Sequence, residues 1–499
     1  MKLNKACYIR GLKNKELNQN RQSCLIHFIS MILRQTYKAC KINKLYYIKM
    51  KRDVFSRRAF LTKGGIGGLG LFTIGSAMAC SRSTDKSGTI ESGRGKIENI
   101  GGISLEQLRD QYRSELYDYF IPNMDKYAVD HKYGGVICSL DIRTGEPENM
   151  NKTAWFVGRG LWVYSYLYNN LEPDSRFLEI ARKSKDLLLK LQPKDDSFWP
   201  ETFSREGKPL SGPGDIYGSL FVAEGLSEYA EASGEKEYRD LAKKIIFDCV
   251  ARYDQPDYSY SIGSYLKNSP PVQGPRILGH WMILLSLSTQ MLMHEPDEDL
   301  EKLAARCVDA ILNHHVNAEY GLTNEVLNHD FSLPDNEYAQ HSITGHGLET
   351  LAFVMFEAGR LRDRNLFRSA EKVFKKIVDV CADHVYGGYF HTLQQVDNYI
   401  WSTGKSLWCQ QEVINGALFL IEHTGDEWAM RHFERANSHI FEKYFNPAHK
   451  FWHFGGDRKM VNRNVSLMEH YHHARQFVRG LLTFERLIER GGRISDLFA

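Results

Sequence analysis

At 499 residues the chain has room for one large domain or several average ones, and 42% hydrophobic residues with 12% aromatics is ample for a packed core. The formal charge of +3 conceals an asymmetry: residues 1–63 hold 16 Lys and Arg against only Glu16 and Asp53, which leaves 48 basic and 59 acidic side chains in 64–499, a formal −11. A body that acidic, with no basic stripe, argues against nucleic acid and an anionic membrane surface as partners.

The stretch 50–80 has the order of an export signal. Ser56-Arg57-Arg58-Ala59-Phe60-Leu61 is followed by sixteen uncharged, Gly-rich residues, Gly64 to Ala79, and then by Cys80. That run is too short and too rich in glycine for a membrane span. The paired arginines predict twin-arginine export, and the small Ala77 and Ala79 predict a lipoprotein cleavage site with Cys80 as the lipidated first residue. The plainer alternative is an ordinary secretory signal in which the cysteine has no role. Because such a signal belongs at a chain start, Met50 is the expected start and residues 1–49 an upstream translation artefact. Residues 81–102, rich in Ser, Gly and Lys, read as a flexible tether to a single body, 103–499.

From there apolar residues recur at the three-to-four spacing of one buried helical face. The pattern predicts twelve helices, near 104–120, 152–170, 174–192, 216–233, 235–252, 276–294, 297–314, 343–359, 362–382, 405–424, 426–444 and 471–489. Loop lengths alternate. Short links such as 170–173 and 423–426 join pairs, and long aromatic links separate them, which predicts six antiparallel hairpins with the long loops gathered at one end. An internal repeat points to closure: DHKYGGVICSL at 130–140 matches DHVYGGYFHTL at 383–393, an offset of 253 that also pairs Lys152 with Lys405 and Trp155 with Trp408. The expected fold is an all-α (α/α)6 barrel, with β-hairpins at the two Tyr-Gly-Gly turns set into the long-loop end.

Candidate chemistry falls at helix starts. Arg159 lies between Trp155 and Trp162 on one face, a guanidinium for a developing oxyanion beside indoles that stack on sugar rings, or else an aromatic core stripe with a snorkelling arginine. Tyr217 offers a phenol at the next helix start, for a ligand or for the core. His346 in TGHGLET has Glu349 three residues on, a pair suited to general acid/base work or to capping. Trp408, Gln410 and Glu412 sit in KSLWCQQE. His470, His472 and His473 crowd the last helix with Arg475 one turn on, but they diverge in direction and lack a third ligand at useful spacing, so no metal is expected. The cysteines Cys138, Cys249, Cys307, Cys381 and Cys409 form no CxxC and read as small buried hydrophobes.

Together these motifs resemble the N-acylglucosamine 2-epimerase family, which includes cellobiose and mannobiose 2-epimerases and mannose isomerases, over about residues 103–490. The resemblance implies that the Gly-His-x-x-Glu segment supplies one catalytic histidine, His346 beside Glu349. An aromatic-His-x-x-Arg segment supplies the other, His472 between Tyr471 and Arg475. It carries Arg159 with Trp162, Tyr217, and Lys405 with Trp408, Gln410 and Glu412 over to the substrate site. Two departures weaken a disaccharide specificity: Gly279-His280-Trp281-Met282-Ile283-Leu284 replaces a Met-His-Leu-Leu segment, and Leu467 stands where cellobiose epimerases have tryptophan.

The expected function is a cofactor-independent 2-epimerase of a reducing mono- or disaccharide, with Arg159 holding the enediolate oxygen while the two histidines move the proton. No nicotinamide or phosphate-cradling motif is found. An aldose–ketose isomerase, an (α/α)6 polysaccharide lyase or unsaturated uronide hydrolase, and a non-catalytic glycan-binding lipoprotein remain alternatives. A homodimer is compatible with any of them. Expected localisation is the periplasm or cell envelope, with the membrane reached only through the lipid at Cys80.

Overall fold

In a computed structural model, residues 96–195, 197–260, 272–459 and 467–498 are described, all within one compact unit, Ile90–Ala499. The export signal, Cys80 and residues 1–49 lie outside the described residues. Twelve helices of ten or more residues are present among those described: α1 Leu105–Ser114, α2 Ala154–Asn170, α3 Ser175–Lys190, α4 Ile216–Ser233, α5 Glu237–Tyr253 and α6 Leu278–His294, then α7 Glu298–Asp309, α8 Thr344–Leu361, α9 Arg364–Cys381, α10 Leu407–Thr424, α11 Glu427–Lys443 and α12 Tyr471–Glu489.

Side-chain pattern decides which helices line the barrel. The chains of α2, α4, α6, α8 and α10 bury residues around most of their circumference, whereas α3, α7, α9 and α11 bury one stripe. The first set, with α12, packs in the order α2, α4, α6, α8, α10, α12 and back to α2, a closed ring. Each member carries an antiparallel outer partner, and this is the (α/α)6 barrel expected. Five partners follow their inner helix in sequence, through links as short as Gly425-Asp426, where Gly425 takes a φ of +68° and Asp426 caps α11. The sixth pair joins opposite ends of the chain, α12 against α1.

The tightest inner contact is between α2 and α4. A Cβ on Gly158 would meet the Phe221 backbone at 2.6 Å, and one on Gly225 would meet the Gly158 carbonyl at 2.6 Å. These glycines let the two backbones touch, which sets Arg159 against Phe221.

Two expectations are corrected. The last residues of the predicted tether belong to the body: Ile97 and Ile100 are buried, and the Ile97 amide donates to the Gly492 carbonyl at 2.9 Å. The Tyr-Gly-Gly turns are not β-hairpins but tight loops closed by single bridges, Val129 to Val136 and Ala382 to Tyr389. Their consecutive left-handed glycines, Gly134-Gly135 and Gly387-Gly388, curl each chain too sharply for a ladder.

The repeat itself is reproduced in three dimensions. Lys152 Nζ donates to Asp130 at 2.8 Å and to the Gly134 and Arg205 carbonyls, while Arg205 grips both Asp130 oxygens. At an offset of 253, Lys405 donates to Asp383 at 2.8 Å and to the Gly387 and Arg458 carbonyls, and Arg458 grips Asp383. In both, the lysine and aspartate side chains have no exposure. Each ion pair pins a long loop to the strand that feeds an inner helix, α2 or α10.

Candidate active site

The N-terminal ends of the inner helices open toward the long loops, and short ladders hold three of them in place. Lys152–Thr153 pairs with Thr202–Phe203, Arg276–Ile277 with Val326–Leu327, and Lys405–Ser406 with Gly455–Gly456. The first turns of α2, α6 and α10 are thereby fixed, and α4, α8 and α12 alternate with them around one mouth.

His346, in the first turn of α8, is held by a residue the sequence did not point to. Its Nδ1 lies 3.0 Å from Glu325 Oε1, and the same oxygen accepts from the Gly279 amide at 3.3 Å. With Nδ1–H given to the carboxylate, Nε2 becomes the basic nitrogen of the neutral ring. Burial pushes the His346 pKa down, but the Glu325 charge and hydrogen bond outweigh it and the net displacement is upward.

His472, in the first turn of α12, has the same arrangement in a drier setting. Nδ1 lies 2.9 Å from Glu412 Oε1, and burial, only partly opposed by Glu469 and Glu349, pushes its pKa down to about 3. Arg475, one turn on, contacts Glu412 at 2.6 Å and also Glu349. Glu349, Glu412 and His472 bring three ligand-capable atoms within 4.8 Å, a metal-like set. The Arg475 Nη2 touches both carboxylates and lies 3.1 Å from His472 Nδ1, so a fixed guanidinium supplies the positive charge there.

The two imidazoles flank one indole. Trp408 lies 5.6 Å from the His346 ring and 5.6 Å from the His472 ring, so the histidines are separated by no more than twice that distance. A Cβ on Gly345 would run into Trp408, which explains glycine next to His346. Arg159 completes the mouth. Its guanidinium carbon stands 4.1 Å over Phe221, 4.5 Å over Tyr471 and 5.2 Å from Trp155, and its Nε has no hydrogen-bond partner. An arginine walled by aromatic faces keeps its charge for an incoming group. Tyr471 is anchored in turn by both oxygens of Glu224, at 2.8 and 2.9 Å.

Of the residues singled out from sequence, His346, His472, Arg159, Trp408 and Tyr217 surround this mouth. Tyr217 stacks on Trp155 at 4.8 Å, meets His280 edge-on at 4.8 Å and sets its hydroxyl against Gly279. Three expectations are corrected. Glu349 does not orient His346, because Arg475 claims it. Glu349, Glu412 and Arg475 are not substrate contacts but buried supports, at 3%, 0% and 1% exposure. Trp162 is not at the mouth: it lies deeper in the barrel, 1% exposed, with Nε1 donating to Gln290 at 2.9 Å. His470 and His473 turn away, to the Phe156 carbonyl and to Glu115.

Three neighbours went unnoticed in the sequence as site residues: Glu325, His280 and His391. His280 Nε2 is 2.7 Å from the Tyr258 hydroxyl, and His391 Nδ1 is 3.1 Å from the Gly404 carbonyl. Burial keeps both uncharged near neutrality. His391 had a signal, since it lies inside the repeated segment.

The sequence model of the family described as N-acylglucosamine 2-epimerase (GlcNAc 2-epimerase) matches residues 135–475. The N-acylglucosamine 2-epimerase of Homo sapiens is 25% identical over 366 residues, covering 70% of this chain and 82% of that protein. A cellobiose 2-epimerase of Bacteroides fragilis is 26% identical over 366 residues, covering 66% and 85%. The structure of a cellobiose 2-epimerase from Bacillus thermoamylovorans B4167 superposes with a TM-score of 0.67 at 15% identity, over 76% of this chain and 99% of that one, and shares the fold.

Proposed function

This chain belongs to the N-acylglucosamine 2-epimerase family and is a sugar 2-epimerase; we propose that it inverts C2 of a reducing aldose by passing a proton between His346 and His472 through an enediolate. The observation that carries the mechanism is the matched pair of imidazoles beside Trp408, each with Nδ1 tied to its own buried carboxylate.

The C2 proton of an open-chain aldose is removable only if the charge that moves onto O1 is met. Arg159, which has no ion pair among the described residues, stands at the mouth and serves that oxygen. His472 is uncharged at neutral pH and accepts the proton at Nε2, while Glu412 at Nδ1 stabilises the imidazolium that forms. His346, with its pKa displaced upward, is the better proton donor to the opposite face. Two titrating groups pushed apart by their surroundings define acid and base for one direction of turnover, and the roles exchange in the other. The substrate class is a reducing mono- or disaccharide. We place the enzyme in the cell envelope, on the strength of Arg57-Arg58 and Cys80.

Proton exchange in D2O tests the reading. Given the two epimers separately, His346→Asn and His472→Asn are each expected to exchange the C2 hydrogen of one epimer only, with opposite preferences, because an amide keeps size and hydrogen bonding but not basicity. Exchange of both epimers by one variant removes its histidine from the mechanism. Accumulation of a ketose by the intact enzyme, in place of the C2 epimer, reassigns it as an aldose–ketose isomerase.

A further inference from the structure

A cavity of about 590 Å³ opens inside the ring at the other end of the barrel, away from the histidines. That volume accommodates a ligand of monosaccharide to disaccharide size. All six inner helices contribute to its wall, near their C-terminal ends. Trp162, Phe353, Phe356 and Phe419 supply apolar faces, with Trp162 stacked on Tyr166 at 4.5 Å.

Three buried polar atoms on this wall have no partner: Gln290 Nε2, Asn415 Oδ1 and Arg479 Nη1. Their orientations are set by what their other ends hold. Gln290 Oε1 accepts from Trp162 Nε1 at 2.9 Å, which turns its NH2 outward as a donor. Asn415 Nδ2 donates to Glu412 at 3.2 Å, which leaves its oxygen as an acceptor, and the residue is 3% exposed. The Arg479 guanidinium lies 4.7 Å over Phe356. The other arginines of this cavity are neutralised: Arg360 by Glu357 and Glu301, Arg486 by Glu422. Unsatisfied buried donors and acceptors are costly to leave unmade, and three in one cavity form a recognition pattern.

We propose that this cavity is a second ligand site, for a small hydroxylated carboxylate of the aldonic or uronic acid class. The carboxylate meets Arg479 and the Gln290 amide, a hydroxyl donates to Asn415 Oδ1, and the C–H faces lie on the aromatic wall. The Asn415 amide also holds Glu412, the carboxylate beneath His472, so the occupant sits one side chain away from the catalytic support.

Calorimetric titration of the whole chain with gluconate, and with sorbitol as the neutral polyol of equal length, tests this. A gluconate-binding event is expected that persists in Arg159→Met and weakens by about tenfold or more in Arg479→Gln. Ser286→Phe, which narrows the cavity from α6 and leaves the Arg479 side chain in place, is expected to weaken it similarly. Each variant is checked for wild-type melting, so that if one fails to fold the other decides. No binding at millimolar gluconate, or an event abolished by Arg159→Met and untouched by both cavity variants, overturns the site. Equal affinity for sorbitol overturns the carboxylate assignment.

Discussion

Glu325→Gln isolates electrostatics from packing. The amide has the shape of the carboxylate and keeps an oxygen to accept from His346 Nδ1 and the Gly279 amide, so what is lost is the negative charge 3.0 Å from the imidazole. Glu325 is buried and His346 largely so, with side-chain exposures of 2% and 14%, so solvent screens little of the interaction. Exchanging a hydrogen bond to a charged acceptor for one to a neutral acceptor costs about 1–1.5 kcal/mol, which corresponds to a fall in kcat of about five- to tenfold. The sign for pH follows from the upward displacement that Glu325 maintains. An imidazolium donor is lost as pH rises through its pKa, so removing the carboxylate moves the alkaline limb of the profile to lower pH. The assay is the initial rate of epimerisation across the neutral to alkaline range, with substrate saturating. An alkaline limb that stays in place, or moves upward, refutes the assignment of Glu325 as the residue that tunes His346.

Arg159→Lys is expected to lower kcat with little change in KM, because the charge it meets develops in the enediolate and an ammonium does not reproduce the guanidinium fork; a rise in KM at constant kcat makes it a ground-state binder instead. Asp383→Asn leaves Lys405 charged and buried, and a loss of about 3–5 kcal/mol is expected from denaturant unfolding; an unchanged midpoint refutes the pin. Burial opposes ionisation of Asp383, but Arg458 and Lys405 outweigh it and hold its carboxyl below the ordinary range, so the wild-type contribution is present above the unfolded pKa and is lost as pH falls toward the folded one. Cys80→Ala is expected to move the protein from the membrane fraction to the soluble one, and continued sedimentation with membranes ends the anchor proposal.

What the sequence made legible was periodic or repeated. Helix faces, short links such as 423–426 and the Asp130–Lys152 register at its 253-residue offset are local or self-similar signals, and they survive folding. Glu325 was not legible because its contact with His346 crosses 21 residues of loop and depends on the ladder between Arg276–Ile277 and Val326–Leu327. Glu349 lies on the helix that starts at His346, as the three-residue spacing implies, yet a guanidinium arriving from α12 outcompetes a neighbouring imidazole for it. Trp162 shares a face with Arg159, but the inner helices run down the barrel, so three residues along α2 descend about 4.5 Å, out of the mouth and toward the second cavity. Closure by α12 on α1 leaves no trace in loop lengths, since no loop makes it.

That closure has a consequence for how the protein comes into being. The base, His472, and the arginine that locks its support, Arg475, are borne on the last inner helix, whose outer partner is the first helix among the described residues. Until α12 docks, the ring has an open seam, α1 has no companion, and Glu349 and Glu412 lack the Arg475 guanidinium that bridges them. Any species truncated before residue 472 therefore lacks both a proton acceptor and a closed wall, and has no partial activity to inherit. The seam also sets Ile97 beside Gly492 at 2.9 Å, so the two ends of the described chain meet. Joining them and reopening the chain at a short link such as 424–426 would leave every barrel contact in place while changing which helix is made last.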